Sequence, residues 1–170
     1  ATPKTIEGQE IIYGIPDASL SGQANFALGD TANNQPLTAV FSFKSSEIPA
    51  NATIDEVKLL LVLSTPIQSA DLSLGSLFVT IMDLPPETFN PASSTFEESY
   101  EVTAMSDNWL VAQLPEDKFQ PNQTYSLRLG FLLNTDLDDR ADQIRVALND
   151  GNQPPSLYIS YTATVEEEQP

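Results

Sequence analysis

The sequence contains no cysteine and no histidine among its 170 residues. Without cysteine there is no disulfide bond, no thiolate metal site and no cysteine nucleophile. Without histidine there is no Ser-His-Asp or Cys-His triad, no histidine zinc site and no general base of the usual kind near neutral pH. These absences exclude most hydrolase mechanisms. They leave glycoside hydrolysis by a pair of carboxyl groups as the main catalytic alternative.

Basic residues are also scarce. Seven lysines and arginines stand against 24 aspartates and glutamates, which gives a formal net charge of −17. Nucleic-acid affinity comes largely from basic side chains that displace counterions, so we predict no nucleic-acid partner. No uninterrupted apolar run approaches the length that a membrane span needs, and we predict no membrane insertion. The lack of cysteine favours an exported protein over a cytosolic one.

The most hydrophobic stretch is Ile54–Ser64, with the sequence IDEVKLLLVLS. In an extended chain the alternate residues from Val57 to Leu63 fall on one face, while Leu60 and Val62 fall on the other. Proline-containing segments before and after this stretch limit its length to about ten residues, which favours a strand over a helix. We therefore predict a central strand that is covered on both faces.

Strand patterns recur along the chain, and helix signals are scarce. We predict an all-β fold, a jelly-roll-like antiparallel β-sandwich of about 8–10 strands. The predicted domain covers residues 1–163, and residues 164–170 are predicted to form an acidic linker or tail because they are charged and lack apolar periodicity. The other predicted strands are Ile11–Tyr13, Asn25–Leu28, Leu37–Lys44, Leu77–Met82, Phe96–Met105, Trp109–Leu114, Tyr125–Leu133, Ile144–Leu148 and Leu157–Tyr161.

The strand Tyr125–Leu133 has the clearest alternation of apolar and other residues. Its apolar residues occupy every second position, while Ser126, Arg128 and Gly130 occupy the positions between them. This pattern predicts a half-exposed strand, with the apolar side in the core and the other side in solvent.

Two segments carry a family pattern. The first runs from Val40-Phe41-Ser42-Phe43 through Glu47-Ile48-Pro49-Ala50-Asn51-Ala52-Thr53-Ile54 to the leucine-rich strand, and the second is Pro154-Pro155-Ser156-Leu157-Tyr158-Ile159-Ser160-Tyr161. Together they resemble the DNRLRE-type domains of secreted bacterial and archaeal surface proteins. The resemblance implies a jelly-roll-like sandwich, similar in architecture to many carbohydrate-binding modules, that serves as an accessory or structural unit of larger extracellular proteins. Fold analogy alone does not assign a ligand.

Glu97, Glu98 and Glu101 are the candidates for an acid and base pair because they lie close together in the sequence. Alternate residues of a strand face opposite sides, however, and nothing in the sequence shows that any two of these carboxylates converge. Ordinary solvated carboxylates are the favoured interpretation, and we predict that the protein is not an enzyme.

The most acidic segment is Asn134–Asp142, with the sequence NTDLDDRAD. Oxygen ligands concentrated in one loop are what Ca²⁺ requires, so a structural calcium ion is one hypothesis. The spacing does not match an EF-hand, and a solvated turn partly neutralised by Arg140 is the favoured alternative. The candidate metal ligands are Asp136, Asp138, Asp139 and Asp142.

Trp109 is the only tryptophan, and it follows the turn at Asp107 and Asn108. Exposed aromatic rings bind sugars because the C–H faces of a sugar stack on the ring while polar neighbours bind the hydroxyl groups. Tyr100 and Tyr158 are the further candidates for such a platform. The favoured alternative is that Trp109 caps the core of the sandwich.

We therefore expect a non-catalytic, extracellular structural or adhesive module of a larger cell-surface or secreted protein. One alternative is a carbohydrate-binding module stabilised by calcium, and another is part of a polysaccharide-degrading enzyme. The expected partners are neighbouring modules of the same polypeptide and, in the carbohydrate-binding alternative, a polysaccharide.

Overall fold

The computed structural model describes residues 3–16, 23–44, 48–64, 75–82, 99–106, 108–121, 123–133, 137, 139, 142–148 and 154–166. These residues form twelve strands and a 3₁₀ turn at Glu116–Lys118. None of the described residues belongs to a helix long and apolar enough to cross a membrane. The strands are β1 (Pro3–Tyr13), β2 (Ile15–Pro16), β3 (Asn25–Asp30), β4 (Pro36–Leu37), β5 (Ala39–Lys44), β6 (Thr53–Val62), β7 (Leu77–Met82), β8 (Ser99–Ala104), β9 (Trp109–Leu114), β10 (Thr124–Phe131), β11 (Asp142–Ala147) and β12 (Ser156–Glu166).

Nine of the strands form one antiparallel sheet in the order β1-β12-β6-β9-β8-β7-β10-β5-β2. The sheet curls into two layers, and side chains from both ends of this order meet in a single hydrophobic core. The first layer is β1-β12-β6-β9 and the second is β7-β10-β5-β2. The predicted all-β antiparallel sandwich is confirmed. The strand count exceeds the predicted range because β2 and β4 contain only two residues each.

Strand β8 belongs to both layers. Its first residues pair with β7, up to Val102 opposite Leu77, and its last two residues, Thr103 and Ala104, pair with β9. A short strand that changes partners in this way lets one sheet fold back on itself without a break in its order. β8 is therefore the connection between the layers on this side of the sandwich.

Strand β6 is central, as predicted, because it lies between β12 and β9. Its inward side chains Val57, Leu59 and Leu61 are fully buried. The prediction that both faces are covered holds only in part. On the other face Val62 is 5% exposed, but Glu56 and Lys58 keep about two fifths of their side-chain surface exposed (40% and 37%). The first layer thus has an inner face in the core and an outer face that is partly open to solvent.

Strand β10, in contrast, is more buried than predicted. Its apolar side lies in the core beside Phe41 and Phe43 of β5, as expected, up to Phe131, where the strand ends. Leu133, which was predicted on the same side, is 46% exposed beyond it. The other side is covered as well, because Ser126 is 9% exposed and Arg128 only 3%. Burial lowers the pKa of the Arg128 guanidinium from its ordinary value. Both faces of β10 are therefore covered, and its alternation of apolar and other residues does not mark a face in solvent.

The remaining three strands form a small sheet in the order β11-β3-β4. It joins the first layer just beyond β6, where Leu63 forms a bridge with Val146 and the Ser64 N–H donates to the Arg145 carbonyl at 2.9 Å. Its apolar side chains enter the common core, where the rings of Phe26 and Phe41 lie 5.3 Å apart. This sheet closes one side of the sandwich.

Strands β1 and β12 pair along eleven residues, from Pro3 opposite Glu166 to Tyr13 opposite Ser156. Strand β12 runs to Glu166, so the first three residues of the predicted tail, Thr164 to Glu166, are part of the sheet. The remainder of that tail lies outside the described residues. The two ends of the described chain consequently lie side by side at one edge of the first layer.

Candidate functional site

The outer face of the first layer carries a shallow groove of about 370 Å³, which we call the outer groove. Residues from β12, β6, β9 and β8 line it, together with one residue just beyond β8. The residues of β6, β9 and β12 are brought to this face by the two-residue alternation of their strands, since the residues between them point into the core. The lining residues are Lys58, Leu60, Thr103, Met105, Val111, Gln113 and Tyr158.

The register of the strands determines which of these side chains are neighbours. Tyr158 lies opposite Lys58, and Lys58 lies opposite Gln113, so an aromatic ring, an ammonium group and an amide form one row across three strands. On the far side of Tyr158 the row continues with Ile11 of the edge strand. Directly opposite residues have Cβ atoms about 4.5–5.5 Å apart, which is close enough for one small ligand to contact two or three of them.

Lys58 is held in place by two neighbours. Its Nζ lies 2.8 Å from Glu56 Oε1 and 6.0 Å from the centre of the Tyr158 ring. The hydrogen bond and charge of Glu56 raise the pKa of Lys58 above its ordinary value, so the ammonium group stays charged at neutral pH. The Gln113 side chain is also oriented, because its Nε2 donates to the Val57 carbonyl at 3.2 Å. Its side-chain oxygen is therefore positioned as the acceptor.

This arrangement provides the elements of sugar recognition. The face of the Tyr158 ring can stack on apolar C–H groups, and Leu60 and Val111 extend the apolar surface beside it. Lys58 supplies a donor and Gln113 an acceptor for hydroxyl groups.

Two of the three predicted ligand-binding aromatics share this face. Trp109 begins β9 opposite Val62 and is 37% exposed, on the same side of the sheet as Tyr158. Across the sheet the two rings are separated by two strand spacings, about 10 Å. Along the strand direction they are offset by the four residues from Lys58 to Val62, about 13 Å. One sugar ring cannot contact both, but an oligosaccharide lying diagonally across the strands can. Trp109 is not among the core residues, so its placement does not match the core-cap alternative.

Tyr100 lies elsewhere. It is opposite Val79 of β7, a fully buried residue, and it packs against the core from the inner side. Its ring therefore cannot join Trp109 and Tyr158 on one platform. A role for Tyr100 in binding stays a prediction that is separate from the outer face.

Sequence reasoning missed Tyr13, Lys58 and Gln113. Tyr13 is 55% exposed at the end of β1 on the outer face. The signal for Lys58 was present, because a lysine within a strongly apolar strand points to a face with access to solvent. No local signal places Gln113 beside Lys58, since that neighbourhood depends on the pairing register of β6 and β9.

The predicted metal ligands fall largely outside the described residues: Asp136 and Asp138 lie there, as does the side chain of Asp142. Asp139 is described, and its carboxylate accepts a 2.7 Å hydrogen bond from Asn34 Nδ2 while its N–H donates to Asn34 Oδ1 at 3.1 Å. Within the described ranges no three potential metal ligands come together. The calcium site stays a prediction.

The candidate acid and base pair is equally untested, because Glu97 and Glu98 lie outside the described residues. Glu101 is exposed on β8.

Comparison with protein-family models and with curated proteins finds no match for this chain. The resemblance to DNRLRE-type domains therefore stays a prediction, and the geometry of the outer face is the basis on which a function can be argued.

Proposed function

We propose that this chain is a non-catalytic adhesive module of an exported cell-surface protein, and that its outer face binds a neutral polysaccharide. The observation that carries the proposal is the row formed by Tyr158, Lys58 and Gln113 in the outer groove. An aromatic face beside an oriented donor and an oriented acceptor is the combination that sugar binding requires.

The distribution of exposed apolar side chains supports the same face. Ile11, Tyr13 and Trp109 are all more than a third exposed on the outer side of the first layer, and the other exposed large apolar residues include Leu132, Leu133 and Leu137, which follow β10 and lie elsewhere. Single exposed apolar residues are ordinary on protein surfaces, but their concentration on one face is typical of a binding surface.

Electrostatics favours a neutral polysaccharide over an acidic one. The formal charge of −17 repels polyanions. Lys58, the basic residue of the outer groove, is already paired with Glu56 and offers little net positive charge. A neutral chain makes its contacts through stacking and hydroxyl hydrogen bonds and does not meet this repulsion.

An oligosaccharide array that contains neutral glucan, xylan, mannan and galactan fragments beside alginate and polygalacturonate fragments tests the proposal. We expect retention on neutral fragments only. For the best of them, calorimetric titration should show that Tyr158→Ala weakens binding by about tenfold, the equivalent of about 1.4 kcal/mol, while Tyr158→Phe retains most of it because the ring remains.

The lysines provide a matched control. Lys58→Ala should weaken binding, whereas Lys44→Ala, at an exposed lysine on β5 in the other layer, should not change it. Retention of no neutral fragment, or equal affinities of the Tyr158→Ala and unmodified proteins, would refute the proposal. Release of reducing sugar from the bound fragment would contradict its non-catalytic part.

A further inference from the structure

Three side chains of the outer face lie on one diagonal across the strands. Tyr158 of β12 is opposite Lys58, and Leu60 follows Lys58 by two residues on β6. Leu60 is opposite Val111 of β9, and Trp109 precedes Val111 by two residues. Tyr158, Leu60 and Trp109 are therefore separated by equal steps, each of one strand spacing across the sheet and two residues along it. Each step is about 8 Å, and the whole diagonal is about 16 Å.

The outer groove follows the same direction. Its lining includes Tyr158 at one end and Met105 at the other, with the half-buried Leu60 between them. The Met105 N–H donates to the Trp109 carbonyl at 2.8 Å, so the far end of the groove lies beside the tryptophan. A ligand that extends from Tyr158 along the groove is thus led to Trp109.

The backbone positions of the two aromatic residues are fixed by the sheet. Trp109 is paired with Val62 of β6, and the residue before it is bound to the same strand end by two hydrogen bonds. The Leu63 N–H donates to the Asn108 carbonyl at 2.7 Å, and Asn108 Nδ2 donates to the Leu63 carbonyl at 3.3 Å. Because the two positions keep their separation without a ligand, binding does not have to order them.

The two ends of the diagonal differ in chemistry. One end, which we call the tyrosine subsite, combines the ring of Tyr158 with the donor Lys58 and the acceptor Gln113. The other, which we call the tryptophan subsite, combines the ring of Trp109 with the apolar side chain of Met105. The tyrosine subsite can therefore distinguish patterns of hydroxyl groups, whereas the tryptophan subsite offers a stacking surface to any sugar with an apolar C–H face.

We propose that the outer face binds an extended, linear stretch of several sugar units, with one unit on Tyr158 and another on Trp109. This inference rests on the proposed binding of a neutral polysaccharide and adds the shape and minimum length of the bound chain. A disaccharide is too short to span about 16 Å, so it occupies the tyrosine subsite alone. An extended chain follows the diagonal, whereas a chain that coils leaves the sheet before it reaches the second ring.

The test uses cello-, xylo- and manno-oligosaccharides, from the disaccharide to the hexasaccharide, with malto-oligosaccharides as the coiling control. Trp109 is the only tryptophan, so its fluorescence reports the tryptophan subsite directly. In the series that binds best, the hexasaccharide should shift the emission to shorter wavelength because it removes the ring from water. The disaccharide should bind without shifting it. The malto-hexasaccharide should leave the emission unchanged.

Variants separate the two subsites by calorimetric titration. Trp109→Ala should weaken hexasaccharide binding by about tenfold, while Trp109→Phe retains most of it because a ring remains. Neither change should alter the affinity for the disaccharide, and this unchanged affinity also shows that the variants are folded. Gln113→Ala should weaken binding of both fragments by the same factor. Leu132→Ala, at an apolar residue that is 50% exposed beyond β10, should change neither affinity.

Three results would overturn the inference while leaving the polysaccharide proposal intact. They are an equal loss of disaccharide and hexasaccharide affinity in Trp109→Ala, hexasaccharide binding that is unchanged in this variant, and a malto-hexasaccharide that binds as tightly as the extended fragments. In each case the loss of binding in Tyr158→Ala would still support the tyrosine subsite. Failure of every neutral fragment to bind would overturn both proposals.

Discussion

At the scale of single residues, Gly8 shows how the edge of the first layer is packed. It lies opposite Tyr161 on β12, and a Cβ at position 8 would be 2.5 Å from both Cζ and Oη of that ring. The tyrosine ring therefore covers the glycine and packs against the core. An aromatic side chain across from a glycine is a recognised way of stabilising a sheet position that has no side chain of its own.

This contact predicts that Gly8→Ala changes the free energy of unfolding in opposite directions in the unmodified chain and in a Tyr161→Ala variant. In the unmodified chain Gly8→Ala should lower the free energy of unfolding by about 1–3 kcal/mol, because the tyrosine ring must move away from the core. In a Tyr161→Ala background the same change should raise it by about 0.5–1 kcal/mol, since alanine is favoured over glycine within a strand. Urea denaturation of the four proteins measures both effects. The same sign in both backgrounds would contradict the contact.

At the scale of elements, β6 organises the first layer through two unlike faces. Leu61 is 0% exposed in the core, whereas Lys58, three residues earlier, lies on the outer face. We expect Leu61→Ala to destabilise the protein by about 2–5 kcal/mol because it leaves a cavity, and Leu61→Asp to prevent folding because it buries an unpaired charge.

Lys58→Ala is the matched control on the same strand, and it should change stability by no more than about 0.5 kcal/mol. Thermal unfolding followed by circular dichroism compares the three variants. A cooperatively folded Leu61→Asp protein would show that the inner face of β6 is not in the core.

The positions of the strands could be predicted from the sequence more reliably than the burial of their faces. The predicted strands at Ile54–Ser64 and Trp109–Leu114 agree closely with β6 and β9, because apolar alternation and breakers are local properties of the sequence. Whether a face is covered depends on what the rest of the chain places over it. For this reason the predicted closed outer face of β6 is found at Val62 but not at Glu56 and Lys58, and the predicted solvent exposure of Arg128 is wrong.

The same limit applies to the candidate site. Trp109 and Tyr158 could be selected by residue type alone, but their shared face, and the exclusion of Tyr100 from it, follow from strand parity and register. The change of pairing partner along β8, from β7 to β9, likewise had no sequence signal. Pairing between distant segments is not encoded in any local pattern.

At the scale of the whole molecule, the excess of carboxylates should make stability depend on salt. A net charge of −17 repels itself in the compact state. Raising sodium chloride from about 10 mM to about 150 mM shortens the Debye length from about 30 Å to about 8 Å, so this repulsion is screened. We expect the midpoint of urea unfolding to rise over this range, with the same rise in potassium chloride. A midpoint that falls with salt would show that attractive ion pairs outweigh the repulsion.

The pairing of β1 with β12 has a mechanical consequence. Because Pro3 lies opposite Glu166, a force applied to the two ends of the chain pulls at the same point of the sheet. The eleven residue pairs would then open one after another from that point, as in a zipper, instead of all bearing the load together in shear. In a longer polypeptide under tension this module would therefore extend at low force, and it would release length while the rest of the sandwich stayed folded.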